Sequence, residues 1–277
     1  MTPGSPASAA YRKPSPMTSA LLVRDLTVSF RGSVLVDGVA FGIAAGERVA
    51  LLGASGSGKS LTASALLGQL PAGMRVEGSM RVSGRDAPLG GQGRAGAGDF
   101  AAVYQDPATA LNPMVRLGRQ LTIPLRKAGL SASAARDKAA VLLISVGITD
   151  PGRVLSGYSG ELSGGQLQRV CIALALACRS TVLIADEPTT ALDVISQAKV
   201  LDVLMQGSGT ANSMLFITHD LAVAAALCTR ALVMHSGRIV EQGPMDRLLA
   251  EPEHSYTRQL VGAAHAGANA FALEAGA

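Results

Sequence analysis

The sequence predicts an α/β fold: a mostly parallel sheet, an antiparallel β layer and a small helical subdomain. Three observations carry that prediction. Apolar runs at 48–52, 181–185 and 213–217 are each short and end in glycine or polar residues, as strands buried on both faces do. Apolar and polar residues alternate over 21–30 and 34–43, the pattern of half-buried strands. Helical periodicity around 117–125 and 133–146 sits between the first and second of those apolar runs.

Taken in order, residues 1–19 are rich in Pro, Ser and Ala and read as a disordered tail. Leu21–Phe30 and Val34–Ile43 form the antiparallel layer, and Arg48–Leu52 is a buried strand running into a glycine-rich loop and a helix at Leu61–Leu67. Met74–Ser83 is a further strand, and Gly84–Gly98, with Gly90, Gly91 and Gly93, reads as a flexible surface excursion. A short strand, Ala101–Tyr104, ends at Gln105. The 56 residues between Gln105 and Leu162 hold a helical subdomain and are too few for a coiled-coil arm. A helix at 166–175, strands at 181–185 and 213–217, helices from Val194 and over 221–228, and a final β pair, 231–234 with 238–243, complete the core. The domain boundaries expected are therefore a tail at 1–19, a core with its β layer at 20–104 and 179–250, a helical subdomain at 105–178 and a C-terminal tail at 251–277, frayed after about Ala264.

Composition bounds the function. At 277 residues and 48% hydrophobic content the chain can bury one sizeable core with a subdomain, but not two tandem ones. Its longest apolar stretches, such as 171–178, fall well short of the ~20 residues that span a bilayer, and the N-terminus lacks an apolar signal core. A cytoplasmic chain follows as the expectation. Cys171, Cys178 and Cys228 lie in apolar helical patterns without metal-ligand grouping, so they read as core. A net charge of +4 without a long basic run, 3% aromatic residues and no Trp give no reason to expect nucleic acid.

The chemistry begins at Gly53, Ala54, Ser55, Gly56, Ser57, Gly58, Lys59 and Ser60, which fit G-x-x-x-x-G-K-[ST]. Glycines let backbone N–H groups turn inward around nucleotide phosphates, Lys59 reaches the β and γ phosphates, and the Ser60 hydroxyl holds Mg²⁺. Leu61 opens the helix whose N-terminus faces the anion. Asp186 and Glu187 end a second buried strand, where open α/β sheets collect ligands. Asp186 suits the outer shell of Mg²⁺, through a water, and Glu187 a base that orients an attacking water. His219 ends a third strand at the same edge of the sheet, within reach of a γ-phosphate. Leu162, Ser163, Gly164, Gly165 and Gln166 open a helix, so their N–H groups and the Ser163 hydroxyl form a second anion site.

The ordered set of phosphate loop, Gln105, Leu162–Gln166, Asp186–Glu187, Asp193 and His219 resembles the ATPase subunits of ATP-binding-cassette (ABC) transporters, over roughly Leu21 to Leu260. The resemblance implies a P-loop, RecA-like core that binds ATP with Mg²⁺. It implies that Phe30, 23 positions before Gly53, stacks on adenine. Gln105 would touch Mg²⁺ and the attacking water, Glu187 would be the catalytic base, His219 the switch histidine, and Asp193 part of a loop crossing a dimer interface. Leu162–Gln166 would bind the γ-phosphate of ATP held by a second ATPase subunit, a copy or a paralogue, in a head-to-tail pair. The same segments taken alone admit plainer readings: Phe30 as a core aromatic, Gln105 as a surface amide, Asp193 as an N-cap before Val194.

Residues 105–113, 186–193 with Gln197, and 253–260 are similar to the peptide and nickel importer branch of that family. That implies two integral membrane permeases, an extracytoplasmic solute-binding protein as an indirect partner, and a peripheral position on the cytoplasmic face of the inner membrane. The lack of cysteine after Cys228 is more like the short nickel or metallophore members, and Tyr158–Glu161 and Thr190 depart from the branch's usual residues. The Asn112-Pro113 turn lies where the family receives a coupling helix. The other classes weighed are a cassette ATPase without transport, as in cluster assembly or DNA repair, and a nucleotide-binding kinase, which has no need of Leu162–Gln166.

Overall fold

The computed structural model describes residues 19–90, 98–190, 192–206 and 213–274. Most of the expected N-terminal tail, the centre of the glycine-rich excursion, Ala191 and the last three residues lie outside them. The excursion is shorter than expected, because Arg85–Ala87 pairs with Arg81 and its neighbours as a strand.

Two sheets form. Strands β1 (Ser19–Phe30), β2 (Ser33–Ala44), β4 (Met74–Val82) and β5 (Arg85–Ala87) build the antiparallel layer in the order β2-β1-β4-β5. Strands β3 (Arg48–Leu52), β6 (Phe100–Val103), β7 (Val182–Asp186), β8 (Ser213–Thr218), β9 (Arg230–His235) and β10 (Arg238–Pro244) build the second, in the order β10-β9-β3-β8-β7-β6. All its neighbours run parallel except β9 and β10, which form an antiparallel pair through the turn at Ser236 and Gly237.

Successive side chains on a strand face opposite ways, and this splits the buried residues of the second sheet between two cores. Val49, Leu51, Val182 and Ile184 join the antiparallel layer and α1 (Lys59–Leu67) in one core. Ala50, Leu52, Leu183 and Ala185 join the other, with α5 (Gly164–Ala177), α7 (Leu221–Leu227) and the helical subdomain. That subdomain comprises α2 (Leu117–Lys127), α3 (Ala132–Ser145) and α4 (Pro151–Ser156). Leu117, Leu121 and Leu125, four apart on one face of α2, are buried. A half-buried ion pair, Arg230 Nε to Glu47 Oε1 at 2.7 Å, ties β9 to the β2–β3 turn.

α6 (Val194–Gln206) follows the acidic strand end, and α8 (Met245–Ala250) and α9 (Ser255–Glu274) close the chain. The frayed end expected after Ala264 is instead helical, since alanine, frequent there, is the strongest helix former. No helix among the described residues is long and apolar enough to cross a membrane.

Candidate functional site

The phosphate loop leaves β3 and enters α1 with no side-chain cap on the helix, so the first N–H groups of α1 keep no capping acceptor. Two of its glycines are steric requirements. A Cβ on Gly53, whose φ is +156°, would sit 2.3 Å from the Met234 carbonyl oxygen, and one on Gly58, at φ +107°, would sit 2.7 Å from Met234 Cε. The loop therefore closes tightly over the end of β9. Gly237 N–H donates to the Ser57 carbonyl at 3.0 Å, adding a second hold from the β9–β10 turn.

Lys59 is 5% exposed, and its ammonium donates to the carbonyls of Gly53 at 2.8 Å and Ala54 at 3.0 Å. Burial lowers its pKa, against the opposing pull of Glu187 and Asp186. Asp186 is shifted upward, chiefly by burial and further by Glu187, while a Ser60 hydrogen bond and Lys59 act the other way. Asp186 Oδ1 and Ser57 Oγ are buried with no hydrogen-bond partner. A cation beside the first and a phosphate beside the second would satisfy both groups.

Glu187 has φ +45°, an unusual conformation for a residue with a Cβ. It is held there by its N–H on the Ile217 carbonyl at 2.9 Å and by contacts to its carboxylate. His219 Nδ1 lies 3.1 Å from Oε1, and the Thr190 hydroxyl donates to Oε2 at 3.1 Å. A cleft of about 300 Å³ is lined by Leu35, Ser55, Gly56, Gly58, Lys59, Ser60, Leu61, Gln105 and Glu187. The structure thus brings together Ser55, Gly56 and Gly58–Leu61 of the loop with Gln105 and Glu187, while Gly53, Ala54 and Ser57 lie outside the lining, Asp186 bonds Ser60 and His219 bonds Glu187. A larger groove of about 710 Å³ beside α2 and α5 is lined by residues such as Phe100, Ile123 and Leu174 and carries no carboxylate or hydroxyl, so the smaller cleft is the candidate for chemistry.

The remaining sequence-predicted residues lie outside that lining. Phe30 ends β1 with the Arg31 guanidinium carbon 5.1 Å from its ring centre. Asp193 caps α6, accepting Ser196 N–H at 2.9 Å. Ser163 caps α5 in a capping box: its Oγ accepts Gln166 N–H at 3.3 Å and Gln166 Oε1 accepts Ser163 N–H at 3.1 Å. The box takes two donors that the sequence reading assigned to an anion. The N–H groups of Gly164 and Gly165, in the first turn, keep no intrahelical acceptor, and a Cβ on Gly164 would meet open space.

Sequence reasoning missed three contributors. Leu35 lines the cleft though it reads only as a strand residue. Thr190 holds Glu187, and its signal was its hydroxyl three residues on. Gln168, 1% exposed in α5, donates to the Pro188 carbonyl at 2.9 Å and lies 3.5 Å from that of Tyr104, bracing the chain just after Glu187 against the chain just before Gln105. Burial holds Cys171 and Cys228 up at about 12, so both remain unreactive thiols, as core residues should.

The family model described as "ABC transporter" matches residues 36–190. The chain is 44% identical over 255 residues to the peptidoglycan transport ATP-binding protein YejF of Agrobacterium fabrum, covering 88% of this chain and 46% of that one. It is 40% identical over 252 residues to the oligopeptide transport ATP-binding protein OppD of Bacillus subtilis, covering 87% and 70%. The dipeptide transport protein DppD of the same organism is 40% identical over 258 residues, covering 89% and 77%. The chain thus spans under half of the Agrobacterium relative and about three quarters of the Bacillus ones. Among solved structures, an ATP-binding subunit of an ABC transporter superposes with a TM-score of 0.72 at 25% identity, covering 89% of this chain and all of that one. The dimeric cassette MJ0796 shares the fold, at TM-score 0.70 and 24% identity over 81% of this chain and 98% of that one.

Proposed function

The chain belongs to the ABC transporter family as an ATP-hydrolysing subunit, and from that premise we propose that it powers an importer of oligopeptides or dipeptides. The cargo class rests on relatives named for oligopeptide, dipeptide and peptidoglycan transport. Two membrane permeases, a solute-binding protein and a second ATPase subunit complete the machine, with this chain peripheral on the inner face of the membrane.

The observation that carries the hydrolytic reading is the Glu187 carboxylate at the mouth of the cleft, braced by Thr190 and His219 beside Lys59, Ser60 and Gln105. The loop N–H groups beyond Ala54 and Lys59 hold the ATP phosphates, and Phe30 with Leu35 supplies apolar surface for the base. Glu187 orients a water in line with the γ-phosphorus and accepts its proton as the water oxygen bonds to phosphorus and the bond from phosphorus to the ADP oxygen breaks, leaving ADP and phosphate. His219 keeps that carboxylate in place and hydrogen-bonds the γ-phosphate.

The donor set suits Mg²⁺. Ser60, Gln105 and Asp186 offer few oxygens, and Mg²⁺ bound by them would complete its shell with nucleotide oxygens and water, as it commonly does. Ser60, Gln105 and, through water, Asp186 would hold it, and the unpartnered Asp186 Oδ1 marks where a positive charge is wanted. When bound it neutralises charge on the transferred phosphoryl group.

The Gly164 and Gly165 N–H groups and the Ser163 hydroxyl face the γ-phosphate held by the partner subunit, and Asp193 sits at that interface. Coupling to the permeases runs through the loop at Asn112 and Pro113. Gln120 clamps this loop by accepting Asn112 N–H at 2.9 Å and donating to the carbonyls of Asn112 at 3.0 Å and Val115 at 2.7 Å, leaving Met114 84% exposed at its tip. A clamped loop with a projecting apolar tip can transmit movement.

The test is purification of the chain from its native membrane, followed by uptake in vesicles. Two multi-span proteins should accompany it, and ATP should drive uptake of a dipeptide or oligopeptide. Recovery without membrane proteins would point to a cassette ATPase outside transport, and uptake of nickel alone would overturn the cargo class.

A further inference from the structure

The phosphate loop is touched from behind by a residue far along the chain. Ala54 N–H donates to Tyr256 Oη at 2.8 Å. Tyr256 belongs to the first turn of α9, beyond the 36–190 span of the family match, and Ala54 is not among the residues lining the cleft. The tyrosine therefore meets the loop's outer side, away from the phosphate-facing groups.

Tyr256 is itself held at several points. Glu241, on β10, accepts the backbone N–H groups of Glu253 and His254 at 2.9 Å each. His254 Nδ1 accepts Tyr256 N–H at 3.1 Å, and the Tyr256 ring lies against that of His235 with centroids 4.0 Å apart. The backbone hydrogen bonds fix the start of α9 and so place the hydroxyl against Ala54, while the His235 ring adds packing on the ring face.

In this structure Lys59 braces the first two loop residues from within, through the carbonyls of Gly53 and Ala54. An ammonium that reaches the β and γ phosphates must share or surrender that hold. The Tyr256 bond to the Ala54 N–H, which Lys59 does not touch, then stays in place beside the Ser57 N–H on the Ala54 carbonyl at 3.2 Å.

We propose that Tyr256 is a positioning residue for the phosphate-binding loop, its hydroxyl holding Ala54 from outside the cleft so that the loop keeps its form while Lys59 engages a nucleotide. The role rests on the reading of Gly53–Ser60 as the ATP site. It acts through the loop and touches no reacting atom.

The experiment uses the full chain with Mg-ATP. Tyr256→Phe keeps the ring against His235 and removes only the oxygen. Its dissociation constant for ATP should rise about five-fold, equivalent to about 1 kcal/mol, and in turnover the KM should rise by a similar factor while kcat stays within about two-fold. His235→Ala removes the ring contact and keeps the hydroxyl, and its ATP affinity should stay within about two-fold of the parent. Unchanged ATP affinity in Tyr256→Phe overturns the proposal. So does an equal loss in His235→Ala, since packing alone would then explain the effect, and so does a fall in kcat without a rise in KM. A parent chain that binds no ATP would instead sink the ATP-site reading itself.

Discussion

The phosphate loop and the turn at Leu162–Gln166 are both glycine-rich, and both open a helix onto which an anion can dock, yet the fold finishes only the first. Around Gly53–Ser60 the same chain supplies Lys59, Gln105 and Glu187 to one cleft, with Asp186 bonded to Ser60 and His219 to Glu187. Around Ser163 the described residues supply Gln166, in a capping box that stabilises α5, and Arg169 on the Gly165 carbonyl, and Gly164 stays exposed. The difference teaches which half of the chemistry is internal. Substitutions in the first region should change what a single chain does with ATP, and those in the second should change what two chains do together.

The largest effect should come from Glu187→Gln. The amide keeps the shape and one acceptor oxygen, so ATP should still bind, but the carboxylate proposed to orient water is lost. Turnover should fall by about a thousand-fold, within the usual range for removing a general base, and a closed dimer should accumulate on gel filtration with ATP. Native turnover would remove Glu187 from the mechanism. Ser163→Asp comes next and probes the second region. Aspartate caps a helix about as well as serine, so α5 should survive, but its charge repels a partner's phosphate. ATP binding by the isolated chain should stay within about two-fold, while dimer closure and turnover fall by about a hundred-fold. Ser163→Arg should do the same by bulk. If either variant closes normally on ATP, the two regions do not divide the labour as argued.

Lys59→Ala returns to the first region. Bonds from a charged group are worth about 1.5–3 kcal/mol, so ATP affinity of the isolated chain should drop by about ten- to a hundred-fold in a direct titration. Loss of closure with undiminished affinity would break the comparison from the other side.

How legible these regions were in the sequence depends on the reach of their contacts. Leu51 and Ile184 alternate with neighbours on the other face, so both sheets could be read from strand period and end residues. Gly53 and Lys59 were legible because their spacing answers to one local geometry. Leu35, Gln168 and Tyr256 were not: each acts on residues brought near by the sheet order, and Tyr256 meets Ala54 across 202 positions of chain. β5 was hidden in the glycine-rich stretch, since three residues are too few to display a period. The capping box at Ser163 could have been foreseen, because Ser followed three residues later by Gln is its usual pattern.

Thr190 offers the smallest expected effect and the finest test of how complete the first region is. Its hydroxyl donates to Glu187 Oε2 at 3.1 Å, and its backbone N–H reaches the Glu187 carbonyl at 3.4 Å, so side chain and main chain brace the same strained residue. Thr190→Val preserves the branched shape and deletes the hydroxyl alone. The carboxylate would then rest on His219, free to rotate about the contact it keeps. One lost hydrogen bond of about 1 kcal/mol should lower kcat about five-fold and leave the KM for ATP within about two-fold, because no phosphate contact is touched. Thr190→Ser restores the hydroxyl and should restore kcat to within about two-fold. If Val and Ser behave alike, Glu187 is placed by His219 and its backbone without help from Thr190.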